Sequence, residues 1–109
     1  MLIEWLRHYL ERKSVRKCQD IILPFLIKSF SASEQYTLRQ IERAMIEFHV
    51  KGLTRQIAYA VWVSEADLSK FRGFDEVRVR YLKDVYMKYR REIDVSLNTP
   101  AKQNEYIGI

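Results

Sequence analysis

The sequence contains few of the residues that interrupt or cross-link a polypeptide chain. Its 109 residues include three glycines, two prolines and a single cysteine. All-β domains need a turn about every 8–12 residues, so this scarcity of glycine and proline favours helices. Because Cys18 has no second cysteine to pair with, an internal disulfide is impossible, which excludes a secreted scaffold held together by disulfides.

The sequence also lacks a long uninterrupted apolar run. The N-terminal segment MLIEWLRHYLERK is rich in apolar side chains, but Glu4, Arg7 and Glu11 interrupt it. It therefore has neither the apolar stretch nor the small-residue cleavage site of a signal peptide. No run approaches the roughly 20 apolar residues of a membrane span. We expect a cytoplasmic protein.

The sequence does contain enough apolar material for one packed core. Hydrophobic residues make up 48% of the chain and aromatic residues 13%, which is not the composition of a disordered protein. The formal net charge is +5, from 19 basic and 14 acidic residues. This moderate excess permits contact with nucleic acid or anionic lipid without requiring it.

Apolar residues recur at helical spacing through the first third of the chain. In the first helix the apolar positions are Leu2, Ile3, Leu6, Tyr9 and Leu10. The stripe continues from Cys18 to Leu26, so the helix either runs on past Ser14 or restarts there. Pro24 lacks a backbone N–H, which predicts a kink or a restart near Leu23.

Capping signatures mark the helices that follow. Thr37 and Gln40 form a capping box before a run of helically spaced apolar residues, and Gly52 is placed to end that helix. Ser64 and Asp67 form a second signature, which predicts the start of a short helix.

The remaining pattern completes an all-α fold. Residues 57–63 (IAYAVWV) alternate like a strand but have no second strand to pair with, so we favour a helix. A last long helix is predicted for residues 75–93, and residues 94–109 are predicted to form an irregular or disordered tail. The predicted fold is a compact single-domain bundle of about five helices over residues 1–93.

Residues 54–73 resemble the helix-turn-helix of phage-repressor-type DNA-binding proteins. Ile57 and Ala58 match the apolar and small residues of its first helix, and Leu68 and Phe71 match the inward face of the second. The resemblance implies DNA binding through residues 54–72 as one function. The candidate nucleic-acid contacts are Ser64, Glu65, Ala66, Lys70 and Arg72.

Three features argue against DNA reading. The turn contains Trp62, a large residue, where such motifs commonly have a glycine with a positive φ. The second segment, SEADLSKFR, has no net charge, although phosphate contacts supply most of the affinity for DNA. The basic residues lie instead in residues 1–18 and 72–92, each with a net charge of +3.

Three segments resemble a group of small, uncharacterised proteobacterial proteins of unknown function. The segments are MLIEWLRHYLERKSVRKCQDIILP, YTLRQIERAM and AYAVWVSEADL. The resemblance implies that the three segments form one domain. It implies no activity and no functional residues.

The sequence offers little for catalysis. His8 and His49 fall on different helices, and Cys18 lies on the apolar stripe, where a small core residue is the simplest interpretation. A Cys18–His8 pair could serve nucleophilic chemistry, but nothing in the spacing orients the two side chains. No metal-binding, phosphate-binding or calcium-binding motif occurs. We expect no enzymatic activity, no cofactor and no small-molecule substrate.

Two groups of residues could contact other molecules. The first helix combines Trp5 with basic pairs at positions 12–13 and 16–17, which would suit a membrane surface. We favour instead a core helix whose long basic side chains cover its flanks. On the last helix, a candidate interface consists of Tyr81, Tyr86 and Tyr89. The alternative is that the first helix and residues 57–63 cover these rings.

The sequence therefore predicts a small non-enzymatic cytosolic protein that acts as a protein-interaction or regulatory module. Its expected partner is another protein or a second copy of itself. DNA binding through residues 54–72 is the alternative function.

Overall fold

The computed structural model describes residues 2–97, with the side chains of residues 2–93, and shows an all-α fold. The α-helices in this part of the chain are α1 Leu2–Lys17, α2 Leu23–Phe30, α3 Leu38–Glu47, α4 Gly52–Trp62, α5 Glu65–Leu68 and α6 Glu76–Leu97. A π-helical turn, Cys18–Ile22, joins α1 directly to α2, so residues 2–30 form one continuous helical run. Counting that run once, the described residues form five helical segments and no strand, which confirms the predicted fold class.

The π-helical turn between α1 and α2 has a local cause in Pro24. In a regular α-helix Pro24 would lack the N–H that bonds to the carbonyl of Asp20, and its ring would clash with that carbonyl. The chain adopts a wider π-helical turn just before Pro24, where the Leu23 N–H donates to the Cys18 carbonyl. The predicted change of helix at Leu23 is confirmed, and the helix runs past Ser14 without a break.

The predicted caps of α3 and α5 are present. Gln40 N–H donates to Thr37 Oγ1 at 3.2 Å, and Thr37 N–H donates to Gln40 Oε1 at 2.9 Å, which completes the capping box. Asp67 N–H donates to Ser64 Oγ at 3.2 Å at the start of α5. Both caps satisfy backbone donors that have no partner inside the helix.

The chain reverses between α3 and α4 through two residues with left-handed backbone. α3 ends at Glu47, earlier than the stop predicted at Gly52. His49 at φ 52° and Gly52 at φ 62° turn the chain, and Gly52 is the first residue of α4. Glycine adopts a positive φ without the Cβ clash of other residues, which explains its use at this position.

The ambiguous segment 57–63 is helical up to Trp62, so the interpretation as helix is confirmed. Val63 leaves the helix with an extended backbone and forms an isolated parallel bridge with Tyr36, whose N–H donates to the Trp62 carbonyl at 2.7 Å. α4 packs against α1, α3 and α6. Several of its faces are therefore covered, which accounts for the unbroken apolar run of residues 57–63.

α6 is longer than the sequence predicted. Asp75 Oδ1 accepts from the Val77 N–H at 3.0 Å and caps the start of the helix. The helix continues to Leu97, four residues beyond the end predicted at about Ile93. The rest of the predicted tail, residues 98–109, lies outside the described residues.

The core is centred on α4, and the helical run 2–30 contributes side chains to it from one of its sides. Its largest fully buried side chains are Ile22, Leu26, Ile41, Ile57, Val15, Val63 and Cys18. Every residue from 2 to 10 is exposed, and the first buried residue is Glu11. The N-terminal half of α1 therefore lies outside the core.

Candidate interaction surface

The N-terminal half of α1 exposes six large apolar side chains, which we call the α1 patch. Its members are Leu2, Ile3, Trp5, Leu6, Tyr9 and Leu10. Leu2 and Ile3 are each 82% exposed and Trp5 is 65% exposed. The prediction that these residues form a core helix was wrong.

The α1 patch occupies one face of the helix. At about 100° per residue, its six side chains fall within an arc of roughly 160°. The rings of Trp5 and Tyr9, one turn apart, stack with centroids 5.8 Å apart and an interplanar angle of 14°. The patch is therefore a continuous surface and not a set of scattered apolar side chains.

The opposite face of α1 is polar and is held against α6. His8 Nδ1 and the Tyr89 hydroxyl share a hydrogen bond at 2.5 Å. The Tyr81 hydroxyl donates to Glu11 Oε2, and Glu11 is only 5% exposed. These two bonds fix the rotation of α1 about its axis, so its apolar face is turned away from α6.

A third polar contact continues the same interface beyond α1. In the π-helical turn, Gln19 Nε2 donates to the Tyr86 hydroxyl. The Tyr86 ring also meets Trp62 of α4 edge to face, with centroids 5.7 Å apart. The helical run 2–30 and α4 therefore both contact this ring.

The three tyrosines that the sequence offered as an external interface are used inside the chain. Tyr86 and Tyr89 are buried, and Tyr81 keeps about a third of its surface exposed while bonding to Glu11. The first helical run and residues 57–63 cover them, which was the alternative left open by the sequence. The exposed apolar side chains lie on the other side of α1.

The environment of two of these tyrosines keeps their hydroxyls protonated. The hydrogen bond to the Glu11 carboxylate, followed by burial, raises the pKa of Tyr81 above its usual value. Burial, followed by the charges of Glu11 and Glu92, raises the pKa of Tyr89. Both hydroxyls therefore stay protonated to a higher pH than that of an ordinary tyrosine.

Four basic residues follow the α1 patch along the same side of the helix, and we call them the α1 cations. They are Arg12, Lys13, Arg16 and Lys17. At helical spacing all four fall within or just beside the arc of the patch, whereas Glu4 and Glu11 fall outside it. Lys13 Nζ lies 6.0 Å from the centre of the Tyr9 ring, where the patch meets the cations.

The residues predicted to contact DNA do not form one reading helix. α5 contains only residues 65–68, a single turn about 6 Å long. Ser64 is its cap, whereas Lys70 and Arg72 follow its end, and Lys70 Nζ lies 3.6 Å from Asp67 Oδ1. Of the five predicted contacts, only Glu65 and Ala66 lie within the helix. Leu68 is buried as expected.

The predicted second helix also differs in its inward face. Phe71, which the resemblance places inward, is 43% exposed and meets the Tyr59 ring edge to face at 6.2 Å. It lines an open cleft of about 430 Å³ between α4 and α6, together with Arg55, Arg72 and Arg78. A sequence motif could not have predicted this cleft, because Arg55, Arg72 and Arg78 lie in three separate segments of the chain.

The two candidate catalytic side chains, Cys18 and His8, each contact a different part of the chain. Burial raises the pKa of the Cys18 thiol to about 12, and its Sγ lies 3.7 Å from the Thr54 carbonyl. His8 bonds to Tyr89 on α6. Among the described residues, no cluster of three or more histidine, cysteine, aspartate or glutamate side chains could hold a metal ion.

No helix within residues 2–97 combines the length and the apolar character needed to cross a bilayer. The α1 patch is followed by charged residues after only three turns of helix.

Comparisons with known proteins place the chain in a family. A family model described as "Family of unknown function (DUF6559)" matches residues 6–103. No curated protein and no solved structure gives a significant match. The resemblance to an uncharacterised family is thus confirmed. The chain belongs to this family of unknown function, DUF6559.

Proposed function

We propose that the protein is a small, non-enzymatic interaction module of the cytoplasm that docks through the α1 patch. The observation that carries the proposal is the exposure of six large apolar side chains on one helix face. Contiguous apolar surface on a folded domain is characteristic of sites that contact a protein or a membrane.

The orientation of α1 supports a docking role over incomplete packing. The polar contacts of His8 and Glu11 with α6 hold the helix with its apolar face outward. A helix that merely packed loosely would turn its leucines towards the nearest apolar surface, because burial of each side chain contributes roughly 1.5–3 kcal/mol. Here the fold holds those side chains in water.

The non-enzymatic part of the proposal is supported by the state of the reactive side chains. A buried thiol with a pKa of about 12 does not form the thiolate that nucleophilic chemistry needs at neutral pH. His8, which would act as the base in a Cys18–His8 pair, is hydrogen-bonded to Tyr89. The two side chains therefore do not act as a pair.

DNA binding through residues 54–72 is the weaker alternative. One turn of helix with two acidic residues, Glu65 and Asp67, is a poor element for a negatively charged groove. The alternative predicts retardation of random duplex DNA at low salt, with affinity falling steeply as salt rises. Unchanged mobility at micromolar protein would eliminate it.

Covalent surface labelling in cells and in the purified protein tests the proposed docking without assuming a partner. Hydroxyl radicals label exposed aromatic and sulfur-containing side chains, so Trp5 and Tyr9 should be labelled strongly in the purified monomer. In cells their labelling should fall several-fold. Met87, which is 54% exposed on α6, serves as the internal control and should label equally in both.

The result that contradicts docking is equal labelling of Trp5 in cells and in the purified protein, with Met87 unchanged. A Leu6→Ser/Leu10→Ser variant is the matched comparison, because it removes apolar area from the α1 patch but keeps Trp5, whose labelling is measured. Its Trp5 should be labelled in cells as strongly as in vitro. Ile46→Ser/Val77→Ser is the control variant, since those two apolar side chains are at least as exposed but lie on α3 and α6.

The expected protein partner or second copy is tested by solution mass. Self-association through the α1 patch gives a mass above the 13.2 kDa of one chain. The Leu6→Ser/Leu10→Ser variant should then return to the monomer mass, whereas Ile46→Ser/Val77→Ser should not. A wild-type monomer at all concentrations would remove the homodimer from consideration.

A further inference from the structure

We infer that the surface which the α1 patch and the α1 cations contact is an anionic lipid bilayer, with α1 lying in its interface. The inference rests on the proposed docking function and names the occupant of the same site. Its basis is the combination, on one side of one helix, of exposed aromatic and aliphatic side chains with a group of cations.

The side chains of the α1 patch are of the types that favour a bilayer interface. Trp5 and Tyr9 combine a large ring with a polar group, which suits the boundary between headgroups and acyl chains. Leu2, Ile3 and Leu6 add aliphatic surface beside them. The patch extends for about 14 Å along the helix axis, which is enough for contact with a leaflet and far too short to cross it.

The charge beside the patch selects an anionic surface. Arg12, Lys13 and Arg16 are exposed, and Lys17 is half-buried. Asp20, in the π-helical turn that follows, is the exposed acidic side chain closest to them along the chain, and it lowers the local charge to +3. Anionic headgroups attract such a segment, whereas a neutral bilayer offers it nothing beyond contact with the apolar side chains.

The neighbouring surface of α6 does not cancel this attraction. Lys88 and Glu92 line a shallow cleft beside Trp5 and add one charge of each sign. The acidic side chain on α1 that lies closest to the cations, Glu11, is buried on the opposite face and bonded to Tyr81. The outer side of α1 therefore presents apolar surface and net positive charge together.

A second copy of the chain fits this surface less well. A protein interface of standard size uses about 20–30 residues from each side. The α1 patch and the α1 cations provide ten, and a partner of the same sequence would bring the same excess of positive charge to the contact. A bilayer needs neither a large footprint nor a matching cavity.

Cosedimentation with vesicles tests the inference. One set contains equal parts of phosphatidylglycerol and phosphatidylcholine, and the other contains phosphatidylcholine alone. The wild-type protein should bind the anionic vesicles and remain in the supernatant with the neutral ones. Binding to the anionic set should weaken as salt screens the α1 cations.

Two pairs of variants separate the contributions. Lys13→Gln/Arg16→Gln should weaken partitioning onto anionic vesicles by roughly 30-fold, because each cation near the surface contributes about 5-fold. The charge-matched control, Arg39→Gln/Arg43→Gln on α3, should partition almost as well as the wild type. Leu6→Ser/Leu10→Ser should abolish binding, whereas Ile46→Ser/Val77→Ser should leave it intact.

Trp5 reports insertion directly. Lipids brominated on the acyl chain should quench its fluorescence in anionic vesicles, and Trp5→Phe should remove the quenching while keeping the binding. Trp62 is buried in the core and should contribute no quenched signal. All of these substitutions lie on the solvent side, so an unchanged helical circular dichroism spectrum confirms that each variant folds.

The outcomes distinguish this inference from the function on which it rests. No binding to either vesicle set overturns the lipid inference, and equal binding to both sets overturns the requirement for anionic charge. If Trp5 is nevertheless protected in cells, docking stands with a protein as its occupant. If Trp5 is unprotected in cells as well, both proposals fail.

Discussion

Residues 2–10 and residues 15–26 belong to one helical run and both carry apolar side chains at helical spacing, yet their surroundings are opposite. The second segment turns Val15, Ile22 and Leu26 into the core with no exposed surface. The first turns Leu2 and Leu6 to solvent. The difference lies in the elements that each segment meets.

The surface that α6 presents to residues 2–10 is polar at its edge. Tyr81 and Tyr89 end in hydroxyl groups at the contact, and the side chains of α1 that satisfy them are Glu11 and His8. A helix that matches polar groups on one face must turn its other face outward. The apolar side chains of residues 2–10 are therefore exposed by the geometry of this contact.

The largest expected effect comes from replacing one leucine in each of the two segments. Leu26→Ala removes a fully buried side chain and should lower the free energy of unfolding by about 2–5 kcal/mol. Leu6→Ala removes the same atoms from a side chain that is 48% exposed and should change it by less than about 1 kcal/mol. Urea unfolding of the two variants measures both values, and equal losses would place Leu6 in the core.

The pH dependence of stability tests the burial of the second segment, residues 15–26. Burial raises the pKa of Cys18 from 9.0 to about 12 in the folded chain. Below about pH 9 the thiol is protonated in both states, so its contribution is fully present. Between these values unfolding releases a proton, and the free energy of unfolding should fall by about 1.4 kcal/mol for each pH unit.

Urea unfolding between pH 8 and pH 11 checks this dependence against Cys18→Ala, which lacks the thiol. The variant should lose stability less steeply as pH rises, although Tyr81 and Tyr89, whose pKa values are also raised, still act in the same direction above about pH 10. Parallel slopes for the two proteins would show that the thiol is not buried as described.

A smaller effect is expected at the boundary between the two segments. Glu11 accepts from the Tyr81 hydroxyl, a hydrogen bond to a charged group. A double-mutant cycle with Glu11→Gln and Tyr81→Phe should give a coupling energy of about 1–2 kcal/mol. Zero coupling would mean that this contact does not set the rotation of α1.

The local features of the fold could be predicted from the sequence. The capping box of Thr37 and Gln40, the cap at Ser64 and the change of helix before Pro24 depend on residues within a few positions of each other. Such features need no knowledge of tertiary contacts. They predicted where α2, α3 and α5 begin, and the helical spacing between them predicted the all-α fold.

The direction in which α1 faces could not be predicted in the same way. Helical spacing identifies an apolar face but does not say whether an element of the chain covers it. The contacts of His8 and Glu11 with tyrosines 70 or more residues away decide the matter. The cap at Ser64 likewise indicates where α5 begins but not that it ends after one turn, at Leu68.

The smallest expected effect concerns the stacked rings of the α1 patch. Trp5→Ser removes a ring that contacts Tyr9 but is 65% exposed, so the free energy of unfolding should change by less than about 1 kcal/mol. Urea unfolding of the variant measures this change. A loss above about 3 kcal/mol would show that Trp5 packs into the domain and does not belong to a docking surface.

The most direct test of the outward-facing α1 patch compares the two tryptophans of the purified protein. Hydroxyl-radical labelling with mass spectrometry reads each ring separately, and Trp5 is 65% exposed whereas Trp62 is 4% exposed. Labelling of Trp5 at a rate many times that of Trp62 is the predicted result. Equally slow labelling of both rings would contradict it and return residues 2–10 to the core.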